Sequence, residues 1–139
     1  MFAKQRGVEI LLENIPNALS SAERLTHFLE ITHLDLGFCF DTGHANMNEG
    51  APEAFQILRD RIRSTHVHDN DGVHDAHLFP YLKPGGTIDW RRMMELLRVR
   101  QEYYPLLLEL KEDSEMGPPL EAIRRIFEQL EAERAREEE

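Results

Sequence analysis

Short, nearly continuous apolar runs alternate along this chain with longer stretches in which apolar residues recur every three or four positions. The first run, Gly7 to Glu13 (GVEILLE), stops at the turn-forming Asn14-Ile15-Pro16-Asn17 and predicts a strand. Ser20 with Glu23 three residues on has the form of a capping box, and Leu25, Phe28 and Leu29 mark one helix face behind it. Gly37 to Asp41 (GFCFD) predicts a second strand, followed by a Gly- and Asn-containing loop from Thr42 to Gly50. Pro52 suits the first turn of a helix whose apolar stripe is Phe55, Leu58 and Ile62. A third strand is predicted over Ile62 to His68, then a long polar loop from Asp69 to Thr87. Asp89 is placed to cap a helix with Trp90, Met93, Met94 and Leu97 on one face. Pro105 to Leu110 (PLLLEL) predicts the fourth strand, its proline at the start, where a missing N–H is tolerated. A last helix from about Pro119 carries Leu120, Ile123, Phe127 and Leu130.

The order β-α-β-α-β-α-β-α implies a parallel sheet covered by helices. A closed (β/α) barrel needs eight such units. Four units predict an α/β fold that is half of a TIM (β/α)8 barrel, with a small open α/β sheet as the other reading. With 139 residues the chain reads as a single domain, residues 1–139, ending in an acidic helical tail over about 131–139. A hydrophobic fraction of 41% is enough for a core, and no apolar run approaches the length of a membrane span. The single cysteine, Cys39, cannot form an internal disulfide, which fits a reducing, cytoplasmic setting. By alternation it shares a face with Asp41 but lies deeper in the sheet, and it is read as core packing. The net charge of −10 argues against a nucleic-acid partner.

The chemistry lies at the strand ends. Glu13 closes the first strand, Asp41 the second with His44 just beyond, His66 and His68 the third, and Glu109 lies near the end of the fourth. A carboxylate at the end of an apolar strand is costly unless solvated, paired or bound to a cation. Ligands of parallel α/β proteins bind at the carboxyl ends of the strands. The set Glu13, Asp41, His66 and Glu109 offers mixed oxygen and nitrogen donors, suited to a hard or borderline divalent ion.

These residues sit in segments that resemble a known superfamily. Leu12-Glu13-Asn14, Phe40-Asp41-Thr42-Gly43-His44, His66-Val67-His68-Asp69-Asn70-Asp71-Gly72, Asp75-Ala76-His77, Gly85-Gly86-Thr87-Ile88-Asp89-Trp90 and Leu108-Glu109 are similar to the successive motifs of xylose isomerase-like TIM barrels. The likeness runs from Gly7 to about Leu130 and covers the C-terminal half of such a barrel. It implies one divalent metal ion held by Glu13, Asp41, His66 and Glu109, with Mn2+ first and Mg2+, Co2+ or Zn2+ as alternatives. It also implies a sugar or polyol substrate. The activity implied is sugar isomerase or epimerase chemistry, with proton transfer next to the carbonyl of a keto-sugar or inosose through a metal-bound enediolate. Glu13 and Glu109 would be the catalytic carboxylates, and His44 and His77 would bind substrate. The superfamily also contains abasic-site endonucleases with a zinc cluster. On that pattern Asp75 and His77 would be additional metal ligands, and His44 would join them. The third expectation is a non-catalytic, oligomerising half barrel. Its two open sheet edges and an apolar inward face predict a homodimer, or pairing with a missing N-terminal half.

Each candidate has a plainer reading. Glu13 and Glu109 taken singly are ordinary rim carboxylates. His68, His74 and His77 read as solvated loop residues, and Asp69 and Asp71 as turn formers. His27 and His33 lie far from the rim. Trp90, Met93 and Met94 read as core, and Gly85-Gly86 as a loop feature.

Overall fold

The computed structural model of this protein describes residues 2–82, 84–99 and 104–137. The elements in order are α1 (Phe2–Gln5), β1 (Ile10–Glu13), α2 (Ala22–Ile31), β2 (Leu36–Asp41), α3 (Thr42–Asn46) and α4 (Ala51–Leu58). A one-turn 3-10 segment leads from α4 into β3 (Ile62–Val67), followed by α5 (Trp90–Arg98), β4 (Leu106–Leu108) and α6 (Pro119–Glu137). The described strands form one parallel sheet in the order β1-β2-β3-β4, so consecutive strands are neighbours. The chain is therefore α/β, with four parallel strands joined through helices like half of a TIM barrel.

Side-chain alternation divides the sheet into two faces. Phe38, Phe40, Ile62 and Val67 lie on one, fully buried against Leu25, Leu29, Phe55, Leu58, Met93 and Leu97 of the helices. Burying side chains of this size contributes about 1.5–3 kcal/mol each relative to exposure. The opposite face follows from register: Leu11 aligns with Gly37, Glu13 with Cys39, Cys39 with Ser64, Asp41 with His66, and His66 with Leu107. An apolar inward face was expected. Instead it carries the Arg63–Glu9 ion pair (3.9 Å) and Ser64 as well as Leu11, Cys39 and Leu107. A register shift between β2 and β3 at Phe38/Cys39 puts an extra residue into β3, and this adds polar character to the deep end of that face.

Several boundaries differ from the sequence reading. β1 begins at Ile10 because its one neighbour begins at Leu36, and residues 7–9 have no strand to pair with. The N-terminal turn of α1 was not foreseen. The cap of α2 is Ser21, whose Oγ accepts from the Arg24 N–H, rather than Ser20, whose own N–H bonds the Asn17 carbonyl. Thr42–Asn46 is a short helix rather than a loop, capped by Asp41 itself. β4 keeps only Leu106–Leu108, since its partner strand ends at Val67. Pro52 and Asp89 occupy the helix-start positions assigned to them. The acidic segment falls within α6 as far as Glu137, and Glu138 and Glu139 lie outside the described residues. Among the described residues no helix is long and apolar enough to cross a membrane.

Candidate metal centre

The carboxyl ends of the strands are stitched together by short polar side chains. Asn14, buried just beyond β1, donates from Nδ2 to the Asp41 carbonyl and accepts at Oδ1 from the Asp41 N–H, both at 2.9 Å. It thus pairs with the backbone at the end of β2 as another strand residue would. Thr42 does the same between β2 and β3: its hydroxyl donates to the His68 carbonyl (2.7 Å) and accepts from the His68 N–H (3.1 Å). Asn70 donates to the Gly43 carbonyl at 2.8 Å. These residues fix the relative heights of Glu13, Asp41 and His66. The sequence reading took Asn14 as a turn signal and a motif member, and gave Asn14, Thr42 and Asn70 no structural bonding role.

On this rim Glu13, Asp41, His66 and Glu109 each offer one donor atom, and all four atoms lie within 4.8 Å of one another. His66 Nδ1 is 3.0 Å from Glu13 Oε1, 3.0 Å from Glu109 Oε2 and 3.8 Å from Asp41 Oδ2. Three carboxylates so close together repel unless a positive charge stands among them. The Asp41 side chain has no solvent exposure, so water cannot compensate its charge. The donor set, mixed oxygen and nitrogen with no thiolate, fits a divalent ion such as Mn2+, Mg2+, Co2+ or Zn2+. Cys39, on the same face and deeper, is buried, and its thiol is pushed up to about 11 by burial first and by the nearby Glu13 charge second. It stays a protonated packing group.

A second cluster adjoins the first and is formed by His44, His68, Asp75 and His77, whose donor atoms also lie within 4.8 Å of one another. His44 Nδ1 donates to the Asn14 carbonyl (2.9 Å), and His77 Nδ1 donates to the Glu109 carbonyl (3.0 Å). A carbonyl can only accept, so both tautomers are set and both Nε2 atoms carry lone pairs when the rings are neutral. Those Nε2 atoms converge on Asp75, His44 at 3.3 Å from Oδ2 and His77 at 3.2 Å from Oδ1. An imidazole lone pair facing a carboxylate calls for a proton or a cation between them. Burial pulls the His44 ring below its usual pKa, but Asp41, the Asn14 carbonyl and Asp75 outweigh it, and the net direction is upward. His77 holds this position with a left-handed backbone, φ 48, an uncommon conformation for a residue with a side chain.

His68 departs most from its expected place. It was read as a solvated loop residue, yet its side chain has no exposure. Its ring stacks on His77 with centroids 3.9 Å apart and planes 7° from parallel. Gly43 makes room for it, since a Cβ there would fall 2.0 Å from His68 Cε1. Asp69 is likewise more than a turn former. Its carboxylate accepts from the N–H groups of Asn70, Thr87 and Ile88 and from the Trp90 indole at 2.7 Å, closing the base of the loop that presents Asp75 and His77. Gly86 is needed beside it, because a Cβ there would lie 2.2 Å from Asp69 Oδ2. Asp71 does form a turn, and its hydrogen bond from the exposed His74 holds its carboxyl well below the usual range. His27 and His33 are exposed on the far side of the fold, while Trp90, Met93 and Met94 are core.

Comparison with known proteins places the fold. The chain is 32% identical over 117 residues to the uncharacterized protein y4fM of Sinorhizobium fredii, covering 78% of this chain and 35% of that protein. It is 26% identical to the inosose dehydratase of Serratia proteamaculans, covering 86% of this chain and 46% of that enzyme. A crystal structure of a D-tagatose 3-epimerase-like protein superposes with a TM-score of 0.69 at 28% identity, covering 94% of this chain and 51% of the other. The xylose isomerase domain protein of Planctomyces limnophilus shares the fold, with a TM-score of 0.67 at 20% identity, over 94% of this chain and 49% of the other. The chain thus spans about half the length of these solved structures, and between a third and a half of those two sequence relatives. The sequence profile described as Xylose isomerase-like TIM barrel matches residues 1–133, and the chain belongs to that family.

Proposed function

We propose that this chain is the metal-binding half of a sugar isomerase or epimerase-like barrel, acting on a keto-sugar or inosose by proton transfer at the carbon next to the carbonyl. The observation that carries the reading is the convergence of Glu13, Asp41, His66 and Glu109 from four successive strand ends onto one point. One divalent ion, Mn2+ first among the candidates, would be held by these four side chains and would polarise the substrate carbonyl when bound. Glu13 and Glu109 each lie 3.0 Å from His66 Nδ1, so two carboxylates stand within reach of one substrate, one to take the proton and the other to return it. His44 and His77 line the same rim and would hydrogen-bond substrate oxygens. The reading keeps the reducing, cytoplasmic setting expected from the single cysteine.

Metal analysis of the purified chain tests the centre: about one ion per chain is expected, and equal metal content in wild type and Asp41→Ala would remove Asp41 from it. In a completed barrel, Glu109→Gln should keep the fold and lose solvent-hydrogen exchange at the substrate carbon, because an amide cannot accept the proton. The completing half is either a second copy of this chain or an N-terminal half barrel, since among the described residues β1 and β4 are both open edges. A lone, well-folded monomer at micromolar concentration would exclude the homodimer.

A second reading draws on the tautomers of His44 and His77. With both Nε2 lone pairs turned toward Asp75, these residues would hold an additional ion, the arrangement expected of an abasic-site endonuclease-like centre. Two or more ions per chain would favour this reading, against which the acidic net charge weighs.

A further inference from the structure

We infer that His68 is a positioning residue which locks the rotation of the Asp41 carboxylate and so presents one of its oxygens to the metal centre, rather than serving as a ligand itself. The inference rests on the reading of Asp41 as a metal ligand.

His68 Nε2 lies 2.9 Å from Asp41 Oδ1 and 3.1 Å from Oδ2, astride both oxygens. A carboxylate only accepts, so Nε2 carries the hydrogen and its lone pair is not available to a cation. The remaining nitrogen, Nδ1, is buried and has no hydrogen-bond partner. The ring packs against Gly43, where a Cβ would fall 2.0 Å from Cε1 and 2.4 Å from Nδ1. Of the four side chains in the second cluster, His68 is the one whose Nε2 is committed to Asp41 and whose Nδ1 is shut off from solvent.

Asp41 needs such a partner. Its Oδ1 is already engaged by the His44 N–H at 2.7 Å as the cap of α3. Apart from His68, its Oδ2 meets only longer contacts, His44 Nδ1 at 3.5 Å and His66 Nδ1 at 3.8 Å. Without His68 the carboxylate would be held at one oxygen and free to turn about its last torsion. With His68 spanning both oxygens the plane is fixed, and Oδ2 is left directed at His66, Glu13 and Glu109. An apolar side chain would fill the same space without leaving a bare nitrogen, so the donor at Nε2 is the feature that explains a histidine here. Hydrogen bonds to ligating carboxylates of this kind typically change metal affinity by about 10–100-fold.

Calorimetric titration with Mn2+ alone of the full chain tests this in wild type, His68→Phe, His68→Gln and Gly43→Ala, with far-UV circular dichroism confirming each metal-free fold. His68→Phe keeps the ring volume and the stack on His77 but lacks the donor, and its affinity should fall by about 10–100-fold. His68→Gln, whose side-chain nitrogen reaches about as far as Nε2, should recover most of that loss, which a purely packing role would not produce. Gly43→Ala removes no polar group and favours helix α3 by propensity, yet its Cβ displaces the His68 ring and should weaken Mn2+ binding. Long-range proton–nitrogen NMR correlation on the metal-free chain should show His68 as the Nε2–H tautomer. Mn2+ binding by His68→Phe as tight as wild type, or a His68 Nδ1–H tautomer, would overturn the inference. If His68→Phe does not fold, unchanged affinity in Gly43→Ala overturns it instead. Wild type that binds no Mn2+ defeats the underlying reading, and the inference falls with it. That failure is distinct from a metal-binding wild type whose affinity ignores position 68.

Discussion

Removing the Asp69 carboxylate should unfasten the loop that carries Asp75 and His77, at a cost that can be worked out donor by donor. Asp69 accepts from the Asn70 N–H (2.7 Å), the Thr87 N–H (3.1 Å), the Ile88 N–H (3.2 Å) and the Trp90 indole N–H (2.7 Å). Thr87 is exposed and can rehydrate in an Asp69→Ala variant, so its loss counts little. Asn70 and Trp90 are buried and Ile88 nearly so, and their donors would be stranded. A stranded buried donor costs roughly 1–3 kcal/mol, and the cavity left at position 69 admits some water, so the expected total is about 3–5 kcal/mol. Gly86→Ala attacks the same clamp from the other side by pushing its Cβ into Asp69 Oδ2. Because both changes break one set of bonds, the double variant should be less destabilised than the sum of the singles. Urea unfolding followed by Trp90 fluorescence measures all three, with equal slopes required for the comparison. A loss under about 1 kcal/mol for Asp69→Ala, or strict additivity with Gly86→Ala, would show that the clamp does not hold the loop.

Asn14→Ala should cost about 2–4 kcal/mol, since it strands the N–H and carbonyl of the buried Asp41, and hydrogen exchange should speed up at the Asp41 amide in particular. In the metal-free chain His44 should titrate above the ordinary imidazole value, and Asp75→Asn should lower its pKa by removing one of the raising charges, as NMR titration would show. Because the folded pKa is raised, protonated His44 favours the fold fully below about pH 6.5, and that contribution fades as pH rises through the folded value; a pKa unmoved by Asp75→Asn would contradict the assigned contact. Cys39, with its pKa pushed up to about 11, should hold only about one thiolate in a thousand at pH 8 and react with a thiol reagent only as fast as the protein opens, whereas prompt native-state labelling would contradict its burial.

The alternation of apolar runs with helical stripes was sufficient to place four strands and the longer helices, though not the short α3, because each signal is local: a period of two or of 3.6, a proline at a first turn, a capping aspartate. Glu13, Asp41, His66 and Glu109 stood at or near the ends of the apolar runs, and the parallel order put those ends at a single rim. The rest depended on contacts between distant segments. β1 and β4 are shorter than their apolar runs because a strand extends only where a neighbour offers backbone groups, and those neighbours lie far away in sequence. The inward face is polar at its deep end because of an extra residue in β3 that shifts the register, and no local pattern announces it. Asn14, Thr42 and Asn70 look like ordinary turn residues until the strand ends are side by side, when their short side chains prove to bond backbone groups more than twenty residues away. His68 sits in a polar stretch that reads as solvated. It is buried only because Asp41, Gly43 and His77 arrive around it from three separate segments, and burial is a property of that assembly rather than of the residues beside it in the chain.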